Sequence, residues 1–200
     1  RSFSLFSHNG ASSLILGGID HSKISKNHLK AVASLTSDSA FRFTLQSARV
    51  GKLNFMGEDK NALLDSGNTL ISFPMSASRS FIGYLQEEKL DCYLEVEANP
   101  QFSEIVCNLS NEDKERFPDL GLTIEGKEFV VPGAYLIEIC EKNPNAFDPF
   151  AKPHQLKVAC LIKIEFQTGY AFTTIGKAFI EKVYTTFDLE KGTISLIQNF

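Results

Sequence analysis

Residues 62–74 read ALLDSGNTLISFP and contain the side chain best placed for acid–base chemistry. The leucines before Asp65 predict the end of a buried strand, so the carboxyl group emerges where that strand stops. Gly67 allows a sharp turn and lets another chain approach the backbone closely. Three short polar neighbours can hydrogen-bond a carboxylate: Ser66, Asn68 and Thr69. The stretch therefore predicts a carboxylate held in a fixed position, although the same residue types also occur in ordinary Asx turns between strands.

The composition is that of an ordinary globular chain and excludes several classes of function. The chain has 200 residues, of which 43% are hydrophobic, and this length is enough for one domain with a substantial core. The formal net charge of -4 argues against a nucleic-acid partner, because such proteins depend on clustered Lys and Arg. No apolar run approaches the length of a membrane span, so no membrane span is expected in this chain.

The cysteines predict disulfide bonds and an oxidising compartment. They form an even set without a CxxC pair and without histidines at the spacing of a zinc site: Cys92, Cys107, Cys140 and Cys160. Disulfides persist mainly in secreted and lumenal proteins. Asn108 begins an Asn-Leu-Ser sequon, which makes it a candidate glycosylation site.

The hydrophobic pattern predicts an all-β chain. Apolar and polar residues alternate with a period of two through much of the sequence, for example at 41–46 and 162–165. Turn signals that contain glycine separate these runs at short intervals. Helical spacing is restricted to residues 76–88 and 176–182. Residues 141–154 contain three prolines and two further asparagines, which predicts a long surface loop.

Four motifs in the same order resemble the C-terminal half of a pepsin-like aspartic protease of family A1. They are FSLFSHNGASSLILGGIDHSKI, ALLDSGNTLISFP, CNLSNEDKERFPDLGLTIEGKEFVVPGAYL and FTTIGKAFIEKVYTTFDLEKGTISLIQNF. The resemblance extends nearly from end to end. It implies that residues 1–200 form one all-β lobe of the pepsin-like fold with two short helices.

The resemblance also assigns roles to residues. Asp65 corresponds to one of two catalytic aspartates, which share a proton, activate a water and stabilise the oxyanion that forms on the peptide carbonyl. No metal or organic cofactor is implied. Support of the catalytic loop is assigned to Ser66, Gly67, Asn68 and Gly176. Substrate contacts are expected at Leu63, Thr69, Leu70 and Ile71.

Two positions depart from the family pattern, and the resemblance also implies how the cysteines pair. Asn68 replaces the usual Ser or Thr, and its amide N–H remains able to bond a carboxylate oxygen. Lys177 stands where many relatives carry Asp, and the sequence leaves its direction open. By resemblance, the expected disulfides join Cys107 to Cys160 and Cys92 to Cys140.

The chain contains a single aspartate motif, whereas the working enzyme of this family has two. The resemblance therefore implies a partner, the N-terminal lobe or chain of the same protease, together with a peptide substrate. Three interpretations remain open: one chain of a cleaved two-chain protease, a piece of the second lobe, or an independent lobe that pairs with itself or only binds peptides. The expected location is the secretory pathway, outside the cell or in an acidic vacuole or lysosome-like compartment.

Overall fold

The computed structural model describes residues 1–8, 11–37, 40–56, 60–96, 101–141 and 158–199. Most of these residues lie in strands. The strands are β1 Ser2–His8, β2 Ala11–Leu16, β3 His28–Ser34, β4 Arg42–Thr44, β5 Ser47–Val50, β6 Leu53–Asn54, β7 Asn61–Leu64, β8 Ile71–Pro74, β9 Asp91–Val96, β10 Phe102–Leu109, β11 Leu120–Ile124, β12 Lys127–Val131, β13 Ile137–Glu141, β14 Val158–Gln167, β15 Thr173–Ile175, β16 Tyr184–Asp188 and β17 Thr193–Asn199. The helices are α1 Ser78–Glu87, α2 Asn111–Glu115, α3 Gly133–Leu136 and α4 Lys177–Ile180.

The strands form three sheets. The first has the order β2-β1-β16-β17-β3, and all its neighbours are antiparallel. The second has the order β4-β7-β15-β8-β14-β10-β9, with β13 also paired to β14. The third has the order β12-β11-β5-β6. The prediction of an all-β fold is confirmed, because short helices contribute only a minor part of the structure.

The two predicted helices are present, and the sequence analysis missed two others. Helix α1 follows a 3-10 turn at Met75–Ala77 and buries Phe81 and Leu85, four residues apart on one face. The missed helix α2 begins with a capping box in which the Ser110 and Asp113 side chains each bond the other residue's backbone N–H. None of the helices in the described ranges is long and apolar enough to cross a membrane. The loop predicted at 141–154 falls almost wholly outside the described residues.

Phenylalanine fills much of the core between the sheets. Six of the largest fully buried side chains are Phe43, Phe73, Phe81, Phe129, Phe166 and Phe179. In one part of the core the Phe55 ring meets the rings of Phe73 and Phe81 edge-on, with centroid distances of 4.9 and 4.8 Å. Edge-to-face packing of this kind is favourable because the positive ring edge meets the negative ring face. The core therefore holds α1 together with β8, the strand that follows the loop of Asp65.

The predicted disulfide connectivity is wrong. The bonds join Cys92 to Cys107 and Cys140 to Cys160, each with a Cα–Cα distance of 4.0 Å. The four cysteines lie in one row across neighbouring strands, because Cys107 faces both Cys92 and Cys160 while Cys160 also faces Cys140.

This row explains why the predicted pair of bonds cannot form. A bond from Cys107 to Cys160 would leave Cys92 and Cys140 on the two outer strands of the row. Three strand spacings separate those strands, roughly 14 Å, and a disulfide cannot bridge Cα atoms more than about 7 Å apart. Two disulfides can form at once only if each outer cysteine bonds its nearest neighbour, Cys92 to Cys107 and Cys140 to Cys160.

Candidate active site

The loop that carries Asp65 passes over the end of a short central strand. Strand β15 lies between β7 and β8, parallel to β7 and antiparallel to β8. Residues 65–70 connect β7 to β8 and therefore cross the end of β15 at Ile175. The Asp65 N–H donates to the Ile175 carbonyl at 3.0 Å, so the first residue of the loop continues the ladder of the sheet.

Gly176 lies directly beneath this loop. The backbone N–H of Lys177 donates to the Asn68 carbonyl at 2.7 Å, and that of Ala178 donates to the Thr69 carbonyl at 3.2 Å. A Cβ atom at Gly176 would lie 2.1 Å from the carbonyl oxygen of Leu70 and 2.5 Å from that of Asn68. Only glycine allows the two backbones to approach this closely. The backbone of Gly176 therefore packs against the loop of Asp65.

Asp65 is half-buried at the end of β7, as predicted, and its carboxylate is held by its own loop. The Gly67 N–H donates to Asp65 Oδ1 at 2.9 Å. The carboxylate lines a cleft of about 540 Å³ together with parts of β10, β14 and the segment before β15. A carboxylate that is fixed by a backbone donor and reachable from a cleft of this size is suited to hold or transfer a proton at a bound substrate.

The Asn68 side chain connects the loop to a buried carboxylate on β14. Its Nδ2 donates to Ser72 Oγ at 2.9 Å, and the Ser72 hydroxyl donates to Glu165 Oε1. Asn68 Oδ1 accepts from the Leu70 N–H at 3.0 Å. The side-chain amide of Asn68 therefore reaches the Glu165 carboxylate through Ser72, and it does not donate to the Asp65 carboxylate.

The residues predicted to contact substrate divide into three groups. Leu63 lines the cleft beside Asp65. Thr69 is exposed at the surface. The prediction of side-chain contacts fails for Ile71, which is fully buried in the core, and Leu70 is only 8% exposed. Both side chains are therefore turned away from the surface of the loop.

The cleft also contains residues that the sequence analysis did not identify: Phe102, Glu104, Glu165, Gln167, Tyr170, Phe172 and Thr174. They come from β10, β14, the segment leading to β15 and β15 itself. Glu165 pairs in register with Ser72 across the parallel strands β14 and β8. In the sequence Glu165 is one polar residue in an alternating strand, so only the pairing of the strands identifies it as part of the site.

Ser66 and Lys177 face a different cavity. They line a space of about 370 Å³ that is bounded mainly by β1, β2 and α4. Lys177 Nζ lies 3.3 Å from Glu181 Oε1, and the Tyr135 hydroxyl donates to Glu181 Oε2. Burial raises the pKa of Glu181, but the hydrogen bonds from Tyr135 and Lys177 outweigh it, so the pKa lies below its usual value. The Lys177 ammonium is therefore paired along its own helix, and Lys177 is not among the residues that line the cleft of Asp65.

Asn108 lies within β10, and Ser110, the last residue of its sequon, is the N-cap of α2. Its Nδ2 donates to Asp91 Oδ2 at 3.1 Å on the exposed side of β9 and β10. A glycan at this nitrogen would replace that hydrogen bond. Glycosylation of Asn108 stays a prediction.

Comparison with known families identifies the family of this chain. A search of curated proteins gives no match to this chain. The sequence model of the eukaryotic aspartyl protease family, in contrast, matches residues 2–199 and so covers the Asp65 loop, Gly176 and all three sheets. The resemblance drawn from the four motifs is confirmed, and the chain belongs to the eukaryotic aspartyl protease family.

Proposed function

We propose that this chain is the C-terminal lobe of an aspartic endopeptidase and that Asp65 is one of the two carboxylates of its catalytic pair. Two carboxylates held close together share one proton, because both cannot be ionised at once. The ionised carboxylate takes a proton from a bound water, and the water oxygen attacks the peptide carbonyl. The protonated carboxylate donates a hydrogen bond to the oxyanion that develops.

The observation that carries this proposal is the way Asp65 is held at the edge of the cleft. Its backbone is fixed by Ile175, its carboxylate by Gly67, and the loop beneath it by the close approach of Gly176. Catalysis requires such positioning before the substrate binds, since a displacement of about 1 Å can cost a hundredfold in rate. A simple turn between strands would not require this bracing from β15 and α4.

The second carboxylate of the pair is proposed to come from an N-terminal lobe. Strand β2 is at the edge of the first sheet, and within the described residues nothing pairs with its outer side. Leu14 and Leu16 on this strand are 61% and 79% exposed. An apolar edge strand invites pairing with another chain. The adjacent cavity contains Ser66, so a lobe docked there would also contact the Asp65 loop.

The proposal is tested by hydrolysis of a quenched fluorescent peptide with apolar residues around the scissile bond. The 200-residue chain alone is expected to cleave nothing, because it lacks the partner carboxylate. The chain assembled with an aspartate-bearing first lobe should cleave the peptide with an acidic optimum, since the pair must hold one proton. Mimics of the tetrahedral intermediate should inhibit it.

Asp65→Asn should abolish cleavage by the assembled enzyme while the unfolding temperature stays near that of the wild type. The change removes the charge and the base but almost no volume. Asp91→Asn, an exposed residue outside the cleft, is the matched control and should keep full activity. Activity retained in Asp65→Asn would refute the catalytic role. Activity of the chain alone that rises with the square of its concentration would instead indicate a self-paired enzyme with two copies of Asp65.

The proposed location is an oxidising compartment of the secretory pathway, with a secreted or vacuolar destination. The two disulfides and the family are consistent with it. Acid-compartment residence would also match the acidic optimum expected of a carboxylate pair.

A further inference from the structure

Glu165 is a buried carboxylate with unused capacity for a hydrogen bond or an ion pair. Only 9% of the residue is exposed. Its described hydrogen bond comes from the neutral Ser72 hydroxyl to Oε1, and none of the ion pairs among the described residues includes it. Burial of a carboxylate is costly unless a cation or several donors compensate it. The protein therefore keeps Glu165 in the site at some cost.

The second oxygen of this carboxylate faces the cleft. No described side chain donates to Glu165 Oε2, and every fully enclosed side-chain oxygen or nitrogen in the described ranges has a hydrogen-bond partner. Oε2 must consequently be reachable from outside, and the open space that Glu165 lines is the cleft that contains Asp65. A ligand in the cleft can approach this oxygen directly.

The wall of the cleft next to Glu165 is suited to a cation. Its aromatic members are Phe102, Tyr170 and Phe172, and the last two meet edge to face at 5.6 Å. The guanidinium of Arg42 already lies 4.7 Å from the centre of the Phe172 ring, although Arg42 does not itself line the cleft. Aromatic faces attract ammonium and guanidinium groups, more strongly where water is excluded. None of the described residues that line the cleft is a Lys or Arg that could neutralise Glu165.

We infer that this cleft selects peptides with a Lys or Arg side chain close to the scissile bond, and that the cation pairs with Glu165 Oε2. The inference rests on the proposed protease function, because it places the cation in the same cleft as Asp65. Glu165 is then a specificity-determining residue. Ser72, which accepts a hydrogen bond from Asn68, orients this carboxylate by donating to Oε1, and Oε2 is left for the substrate. An apolar side chain of equal length would leave the buried carboxylate without a cation.

The test uses the assembled two-lobe enzyme and a series of quenched peptides. Each peptide carries either Lys or its apolar isostere norleucine at one position within three residues of the scissile bond. The assay is run at pH 5.5 for every peptide and every variant. At one position the Lys peptide should have a kcat/KM about 10 to 100 times that of the norleucine peptide, the range typical of a hydrogen bond to a charged group.

Glu165→Gln should reduce this ratio to near one. Glutamine keeps the size of the side chain and an oxygen that accepts from Ser72, but it loses the charge. Glu115→Gln, an exposed residue on α2, makes the same change in net charge and should keep the ratio. Equal rates for Lys and norleucine peptides at every position, or an unchanged ratio in Glu165→Gln, would overturn the inference.

A binding measurement separates this inference from the proposed function. The dissociation constants of the same labelled peptides are measured by fluorescence anisotropy with the assembled Asp65→Asn enzyme, with and without Glu165→Gln. A preference for Lys that is lost with Glu165 would support the inference even if the wild type hydrolysed no peptide, an outcome that would refute only the protease function. Equal binding of the Lys and norleucine peptides would overturn the inference whatever the hydrolysis result.

Discussion

Gly176→Ala is expected to disable the site by displacing the loop of Asp65. The added Cβ would lie 2.1 Å from the carbonyl oxygen of Leu70, whereas ordinary contact begins at 3.4 Å. The backbone segments must therefore separate by about 1.3 Å, and both contacted groups are main-chain atoms that cannot rotate away. The bonds from Lys177 and Ala178 to the loop would lengthen with that separation.

Two magnitudes follow from this displacement. A shift of about 1 Å in a catalytic group costs roughly a hundredfold, so kcat of the assembled enzyme should fall by about that factor. Overpacking of this kind costs about 1 to 3 kcal/mol of stability, which corresponds to a fall of several degrees in the unfolding temperature of a 200-residue chain.

The assay combines peptide hydrolysis with thermal unfolding, and two other glycines serve as controls. A Cβ at Gly83 on α1 would meet nothing within 4 Å, so Gly83→Ala should keep full activity and stabilise the helix by up to about 1 kcal/mol. A Cβ at Gly67 would lie 3.2 Å from Asp65 Oδ1, so Gly67→Ala should have an intermediate effect on kcat. Wild-type activity and stability in Gly176→Ala would refute the argument that this contact holds the loop.

Two further predictions concern stability. Replacing both Cys92 and Cys107 with Ala should lower the free energy of unfolding by about 3 kcal/mol, because the disulfide closes a loop with a sequence separation of 15. Peptide mapping of the native chain should recover the Cys92–Cys107 pair. A peptide that joins Cys107 to Cys160 would contradict the structure. Burial raises the pKa of Asp113, but the hydrogen bonds from Ser110 and Arg116 outweigh burial and hold this pKa below 3.8. The ionised carboxylate therefore stabilises the fold above pH 3.8, and this stabilisation is lost as the pH falls through the lowered pKa. Asp113→Asn should therefore cost about 1 kcal/mol in urea unfolding at pH 6, and this cost should shrink as the pH is lowered through the titration of Asp113. A cost that does not change with pH would contradict this cause.

The sequence predicted the site where short-range patterns control the structure. The alternation of apolar and polar residues with a period of two predicted the strands, since successive side chains of a strand point to opposite faces. The apolar run before Asp65 placed this carboxyl group at a strand end, and the structure finds it directly after β7. The sequence analysis missed helix α2 because the helix spans only five residues, although Ser110 and Asp113 have the spacing of a capping box.

The partners of each strand were decided by the tertiary structure. Four cysteines allow three pairings, and only the row formed by β9, β10, β14 and β13 excludes the one expected from the family. Glu165 follows Asp65 by 100 residues and joins the cleft because β14 lies parallel to β8. Local patterns fix the direction of a side chain relative to its own strand, so they determined that Asp65 leaves a buried strand at a turn. Local patterns carry no information about which distant strands become neighbours, because strand pairing depends on how the sheets bury their apolar faces together. Strand pairing alone brought Glu165 and the aromatic wall to the Asp65 cleft.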